Sequence, residues 1–153
     1  MEQRRSEHGS PSRQPSQPEA VGAVRTMQAF GMEGVTASRF TAAAEEAFGR
    51  IDGALISVGG PPKGAVTAVS DDQWSAAFES VFLGAVRMSR TLAGALGEGG
   101  SIALVLSSST KSPVANLAIS NGLRPGLGMV VKTLADEIGP RGIRVNGLLP
   151  GRV

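Results

Sequence analysis

Three short apolar runs, separated by long stretches of helical patterning, limit what this chain can fold into. Residues 53–58 (GALISV) close on Gly59-Gly60-Pro61-Pro62, residues 101–106 (SIALVL) run into a serine-rich loop, and residues 143–149 stop at Pro150-Gly151. The first two, short, almost wholly apolar and bounded by turn residues, read as buried strands; the third, which carries Arg144 and Asn146, reads as a strand by its place and its stop. Between the first two, Ser70-Asp71-Asp72 opens a helix that extends to about Gly97. Ser70 is placed to cap it, and the two acids favour its positive end. Trp74, Phe78, Val81, Phe82, Ala85, Met88 and Leu92 recur along it at helical spacing, as core or interface. A second long helix starts at Asn116 or Ser120 and ends near Gly139-Pro140. Strand, helix, strand, helix, strand at this spacing means crossover connections and a parallel sheet, so the fold class is α/β.

Upstream the signal weakens. Residues 38–49 read as a helix, supported by the Phe40/Ala44/Phe48 spacing, with Thr36 or Ser38 as cap and Gly49 as its end. Residues 21–35 hold a broken apolar pattern that suits one poor strand. Residues 1–20 are rich in Ser, Pro, Gln and Arg and nearly free of large apolar groups. Such a segment buries too little to offset its ordering entropy and is expected to be a disordered tail, leaving residues 21–153 as the folded domain.

Composition narrows the chemistry. The chain has 153 residues, no Cys and no Tyr, and its one His is His8, within the polar tail. Thiolate chemistry is excluded, and proton transfer near neutral pH by His or Tyr is unavailable to the folded part. Carboxylates and Lys63, Lys111 and Lys132 remain. A formal net charge of +2, well dispersed, argues against nucleic acid as a partner. No apolar run reaches the roughly 18 residues of a membrane span. A soluble cytoplasmic protein is the expectation, with no membrane or nucleic-acid partner.

Several stretches in order then point to one family. They are Phe48-Gly49-Arg50-Ile51-Asp52, Gly59 after its strand, Asp72-Gln73-Trp74, Gly100-Ser101-Ile102 with Ser107-Ser108, Gly142-Ile143-Arg144-Val145-Asn146, and Pro150-Gly151. Over residues 48–153 the chain resembles the short-chain dehydrogenases/reductases. The resemblance implies a Rossmann-type parallel sheet flanked by helices and hydride transfer between NAD or NADP and a small-molecule carbonyl or alcohol. The usual site of that family is an Asn, a Ser, and a Tyr and Lys in a YxxxK motif. The phenol donates a proton to the carbonyl oxygen, the ammonium lowers the phenol's pKa and holds the ribose, the Ser orients the carbonyl, and the Asn supports a water path.

Carried over one at a time, these positions fall on Ser107 for the Ser, Ser120 for the Tyr, Arg124 for the Lys and Val81 for the Asn. The strand-end pattern NNAG reads Ile56-Ser57-Val58-Gly59. Ser57, Val58, Gly59, Arg124, Pro150 and Gly151 are the positions the resemblance gives to the cofactor. A serine hydroxyl is shorter and a far weaker acid than a phenol of pKa about 10, so Ser120 does not replace it. Arg124 lies one helical turn from Ser120, stays charged, and offers a planar fork suited to a ribose, phosphate or carboxylate rather than to proton relay. Structural readings stand beside these: Ser107 satisfying the backbone at a strand end, Ser120 as a helix N-cap, Arg124 as a solvated helix residue, Lys111 as a loop charge. The stretches GGPPKG, SSSTKSP and SNGLR resemble a divergent subgroup of the family, similar to 3-oxoacyl-acyl-carrier-protein reductases, that keeps the fold but not the usual catalytic set.

No TGxxxGxG or GxGxxG turn occurs in the sequence, although the family's cofactor site begins with one. The resemblance therefore implies a domain truncated at both ends, with an incomplete sheet. In the family order 3-2-1-4-5-6-7 the chain holds strands 4, 5 and 6, and residues 21–35 as strand 3. Strand 4 should then have an open edge, and one sheet face should lose a covering helix. Three expectations follow: an oxidoreductase by descent with a degraded catalytic set; a non-catalytic module that forms a homo-oligomer through the helices at 71–97 and 116–138; or a truncated gene product.

Overall fold

The computed structural model describes residues 27–29 and 34–151, so the expected tail at residues 1–20 lies outside the described residues. The elements are β1 (Met27–Ala29), α1 (Gly34–Phe48), β2 (Gly53–Val58), α2 (Asp71–Ala77), a π-helical segment (Phe78–Leu83), α3 (Gly84–Ala95), β3 (Ser101–Val105), α4 (Ala118–Ile138) and β4 (Arg144–Leu148). Short 3₁₀ turns cover Ser108–Thr110 and Gly139–Arg141. All four strands are parallel, in the order β1-β2-β3-β4. The α/β reading from the three apolar runs is the architecture observed.

One face of the sheet carries the core. Ile56 and Val58 of β2, Ile102 and Leu104 of β3, Leu106, and Val145 of β4 are buried against Met88 and Leu92 of α3, Leu96, and Leu127, Val131 and Leu134 of α4. The strand burial alternates, as a sheet with one well-covered face requires. Ala103 and Val105, pointing to the opposite face, are half-buried, and Arg144 and Asn146 there are exposed. On the core side α3 contacts both α1 and α4.

Two expectations need correction. The edge of β2, expected to be open, is partly covered: β1 pairs directly with it, with Met27 opposite Ile56 and Ala29 opposite Val58. Unpaired strand-edge amides and carbonyls take whatever parallel partner the chain offers, and residues 27–29 supply one. The first helix also starts earlier than expected, at Gly34, so neither Thr36 nor Ser38 is its N-cap. Its inward face is Ala37 and Thr41, 1% and 6% exposed, while Phe40 and Phe48 face outward at 37% and 53%. Small side chains let α1 lie close to α3; the phenylalanine stripe marks the helix but not its buried side.

The helix at 71–97 begins as expected. Ser70 caps α2, accepting from the Gln73 amide while the Gln73 side chain accepts from the Ser70 amide, a complete capping box. It is not one continuous α-helix, however. Residues 78–83 widen into a π segment, seen in the Gly84 N–H bonding to the Glu79 carbonyl five residues back. The extra residue brings Arg87 into an ion pair with Glu79, eight positions away. Val81 sits within this segment, 3% exposed. Phe78 and Phe82 stack with ring centres 5.3 Å apart. Phe82 and Trp74 lie over Gly126 and Gly122 of α4, where an added Cβ would come within 2.9 Å and 2.8 Å of their rings. Glycine at these two positions is what lets α2 and the π segment rest on α4.

Candidate functional site

The carboxyl ends of β2, β3 and β4 meet the first turns of α4, the region where open α/β sheets place their ligands. The loop after β3 is tied to the chain after β4: the Leu106 amide donates to the Leu148 carbonyl at 2.7 Å and the Ser108 amide to the Pro150 carbonyl at 3.1 Å. The segment before α4 turns through Asn116 in the left-handed region (φ 59°), a conformation Asn tolerates. Asn121 then holds the Val114 amide and carbonyl with its side chain. Two more backbone bonds, Gly64 to Asn116 and Ala118 to Gly64, fix the residue 60–70 loop to the start of α4. Ser120 and Arg124 therefore project from a helix whose entry is anchored on both sides. Pro125 lies inside that helix, where it removes one amide donor.

Ser120 is 6% exposed and lies in the first turn of α4, past the Leu117 cap position, so it is not an N-cap. Its hydroxyl is 3.0 Å from that of Ser109, which is 3% exposed. Ser107 does something different. Its oxygen accepts from the Ser109 amide at 3.2 Å and caps the 3₁₀ turn, in line with the reading of a strand-end serine satisfying the backbone. Ser109 was not among the residues singled out from the sequence. The run Ser107-Ser108-Ser109 offers three equivalent hydroxyls, and only the direction of the 3₁₀ turn decides which one meets α4.

Arg124 is not a solvated helix residue: it is 5% exposed. Its Nη1 donates to the Val105 carbonyl at 2.7 Å, and its Nη2 to the carbonyls of Gly59 at 3.2 Å and Val58 at 3.4 Å. Its Nε is buried without a partner. Among the described residues the ion pairs are Arg50 with Asp52 and Arg87 with Glu79, and neither involves Arg124. Burial pushes its pKa down from the usual guanidinium value, yet a guanidinium still keeps its proton in proteins. The planar fork thus bridges the ends of β2 and β3, just past the last paired residues Ile56 and Leu104. Such a contact needs two donor-bearing nitrogens at fixed separation, which a lysine ammonium lacks.

Of the remaining positions, Ser57 is half-buried beside the buried Val58, and Pro150 and Gly151 are exposed at the chain's exit from β4. Lys63, Lys111 and Lys132 are exposed. No cluster of metal-ligating side chains exists among the described residues. A cavity of about 350 Å³ opens beside the site, between residues 59–62 and the face of α2 and the π segment that carries Asp72, Ala77 and Val81.

Residues 34–153 match the family model described as enoyl-(acyl carrier protein) reductase. The chain belongs to the short-chain dehydrogenase/reductase family. An uncharacterized oxidoreductase of Methylorubrum extorquens is 31% identical over 134 residues, covering 88% of this chain and 54% of the relative. A short-chain dehydrogenase of Burkholderia cenocepacia J2315, solved with NADP, is 28% identical with a TM-score of 0.71, covering 78% of this chain and 49% of that one. A short-chain oxidoreductase of Pseudomonas aeruginosa PAO1, solved with NADPH and containing an atypical catalytic center, shares the fold at 23% identity and a TM-score of 0.73, covering 76% and 46%. The chain thus spans about half the length of the relatives it matches. No helix among the described residues is long and apolar enough to cross a membrane.

The Ser109–Ser120 pair makes a quantitative prediction. Removing the Ser109 hydroxyl leaves that of Ser120 buried without its partner, so Ser109→Ala should cost about 1–2 kcal/mol of stability. The double variant Ser109→Ala/Ser120→Ala should cost clearly less than the sum of the single changes, measured as a double-mutant cycle by urea unfolding. Strict additivity would mean the two hydroxyls do not interact.

Proposed function

We propose that this chain is a non-catalytic member of an NAD(P)-dependent oxidoreductase family whose usual substrates are carbonyls and alcohols. The observation that carries the reading is the engagement of Arg124. In the slot that resemblance gives to a catalytic ammonium, the guanidinium donates to three main-chain carbonyls. Three of its five N–H groups are engaged by the protein's own backbone and the side chain is 5% exposed, so little of it is left to reach a nicotinamide ribose, and the residues present do not fit that half of the cofactor. Ser120 supplies no substitute acid. It is paired with another alcohol, and no His, Tyr or Cys lies among the described residues to activate it. Val81, at the Asn position, brings an apolar side chain where a water path would need a polar one.

A second reading is supported by the outward side of the same helices. Phe78 and Met129 are 44% and 60% exposed, next to the Phe82–Gly126 contact. A homo-oligomer through residues 71–97 and 116–138 would cover them, and such a module needs no catalytic set. The two readings are compatible, and both suit a soluble cytoplasmic protein.

The direct test is NADPH and NADH oxidation by the purified chain with a 3-oxoacyl thioester or a simple ketone, alongside calorimetric titration of each nucleotide. The expected result is no turnover above buffer and no saturable binding tighter than millimolar. Turnover that disappears in Ser120→Ala would contradict the reading.

A further inference from the structure

The cavity beside the site has a chemistry of its own. Its volume of about 350 Å³ lies within the roughly 300–1,000 Å³ typical of small-molecule sites. Pro61 and Pro62 form one wall, and Ala77 and Val81 form the other. Val81 makes this wall apolar at the very position where the resemblance expects an amide side chain.

Few of the polar groups around it have a proton to give. The Ser80 hydroxyl has already given its proton to the Ala76 carbonyl at 2.8 Å, so its oxygen can only accept. The Gln73 oxygen is taken by the Ser70 amide at 3.0 Å. The Gly59 carbonyl is taken by Arg124. Asp72 lines the cavity and makes no ion pair with any described residue. Its place in the first turn of α2 suits the helix dipole, but that interaction leaves its carboxylate oxygens free to accept. The cavity therefore offers an apolar body with the solvent-exposed carboxylate of Asp72 on its lining, and only the Gln73 amide nitrogen as a competing side-chain donor.

Two features hold these walls in place. Arg124 fixes the Gly59 end of the loop, and the π segment sets the position of Ser80 and Val81. Single π turns inside α-helices often mark functional sites.

We propose that this cavity binds a compact apolar amine, with its hydrocarbon part between Pro61, Pro62, Ala77 and Val81 and its ammonium on Asp72. The proposal does not depend on the chain being inactive, and its readout is separate from any turnover.

The test uses the full chain with ¹³C-labelled alanine and valine methyls, titrated with cyclohexylamine and, in parallel, with its neutral analogue cyclohexanol. The expected result is saturable shifts at the methyls of Ala76, Ala77 and Val81, with the amine binding about threefold to fivefold more tightly than the alcohol, as an exposed carboxylate allows. Asp72→Asn should remove that difference while leaving the helical circular dichroism unchanged. No saturable shift, equal affinity for amine and alcohol, or shifts confined to other methyls would overturn the proposal. So would displacement of the amine by NADPH, because the cavity would then belong to a dinucleotide site.

Discussion

Replacing Arg124 with methionine is expected to lower the unfolding free energy by about 3 kcal/mol, although it removes a buried charge. The guanidinium contributes hydrogen bonds to the carbonyls of Val105, Gly59 and Val58. Bonds from a charged donor are worth about 1.5–3 kcal/mol each, and each acceptor left buried and bare adds to the loss. Against this stands the desolvation of an arginine with no counter-ion, which is several kcal/mol. The hydrogen bonds win because the orphaned carbonyls lie past Ile56 and Leu104, the last residues that β2 and β3 pair, so neither strand offers the other a partner there. Arg124→Lys should recover little of the loss, since one ammonium cannot span both strand ends. Urea unfolding with an unchanged slope would measure this cleanly. Wild-type stability in Arg124→Met would mean that the bridge contributes nothing beyond offsetting its own burial.

Leu127→Ala is expected to cost at least as much, about 3–4 kcal/mol. Leu127 is wholly buried and belongs to the cluster that joins α4 to the core face of the sheet. It lies one turn beyond Arg124, so the cavity left behind would loosen the part of α4 that aims the guanidinium. At the flanking Gly126 and Gly128 an added Cβ would come within 2.9 Å of Phe82 and 2.8 Å of Thr110, so these neighbours are already packed close and have little room to collapse inward. A cost below about 1 kcal/mol would show that this site can relax far more than its packing suggests.

The strands and long helices were legible because their signals are local. The runs at 53–58 and 101–106 contain little but apolar residues, Pro150-Gly151 stops the one at 143–149, and Ser70-Asp71-Asp72-Gln73 spells out a capping box. What was not legible depended on distant partners. Nothing in MQA announces that it will pair with β2, because strand pairing is decided by which edge is vacant. Phe40 and Phe48 are spaced like a buried stripe, but the close approach of α3 selected Ala37 and Thr41 instead. The π segment has no sequence marker in FESVFL. At the site, the fourfold spacing put Ser120 and Arg124 on one helix face, as expected. The length of the arginine and the positions of the Val58, Gly59 and Val105 carbonyls, visible only after folding, turned that residue from a candidate ligand group into a strand bridge.

The proton state and mobility of the Arg124 side chain are accessible to nitrogen-detected NMR on the labelled chain. A guanidinium that links β2 to β3 should give separate, slowly exchanging Nη proton signals and hindered rotation about its terminal bonds. A single averaged signal exchanging with water as fast as that of Arg90, which is exposed, would place the side chain in solvent and remove the basis for reading this site as structural rather than catalytic.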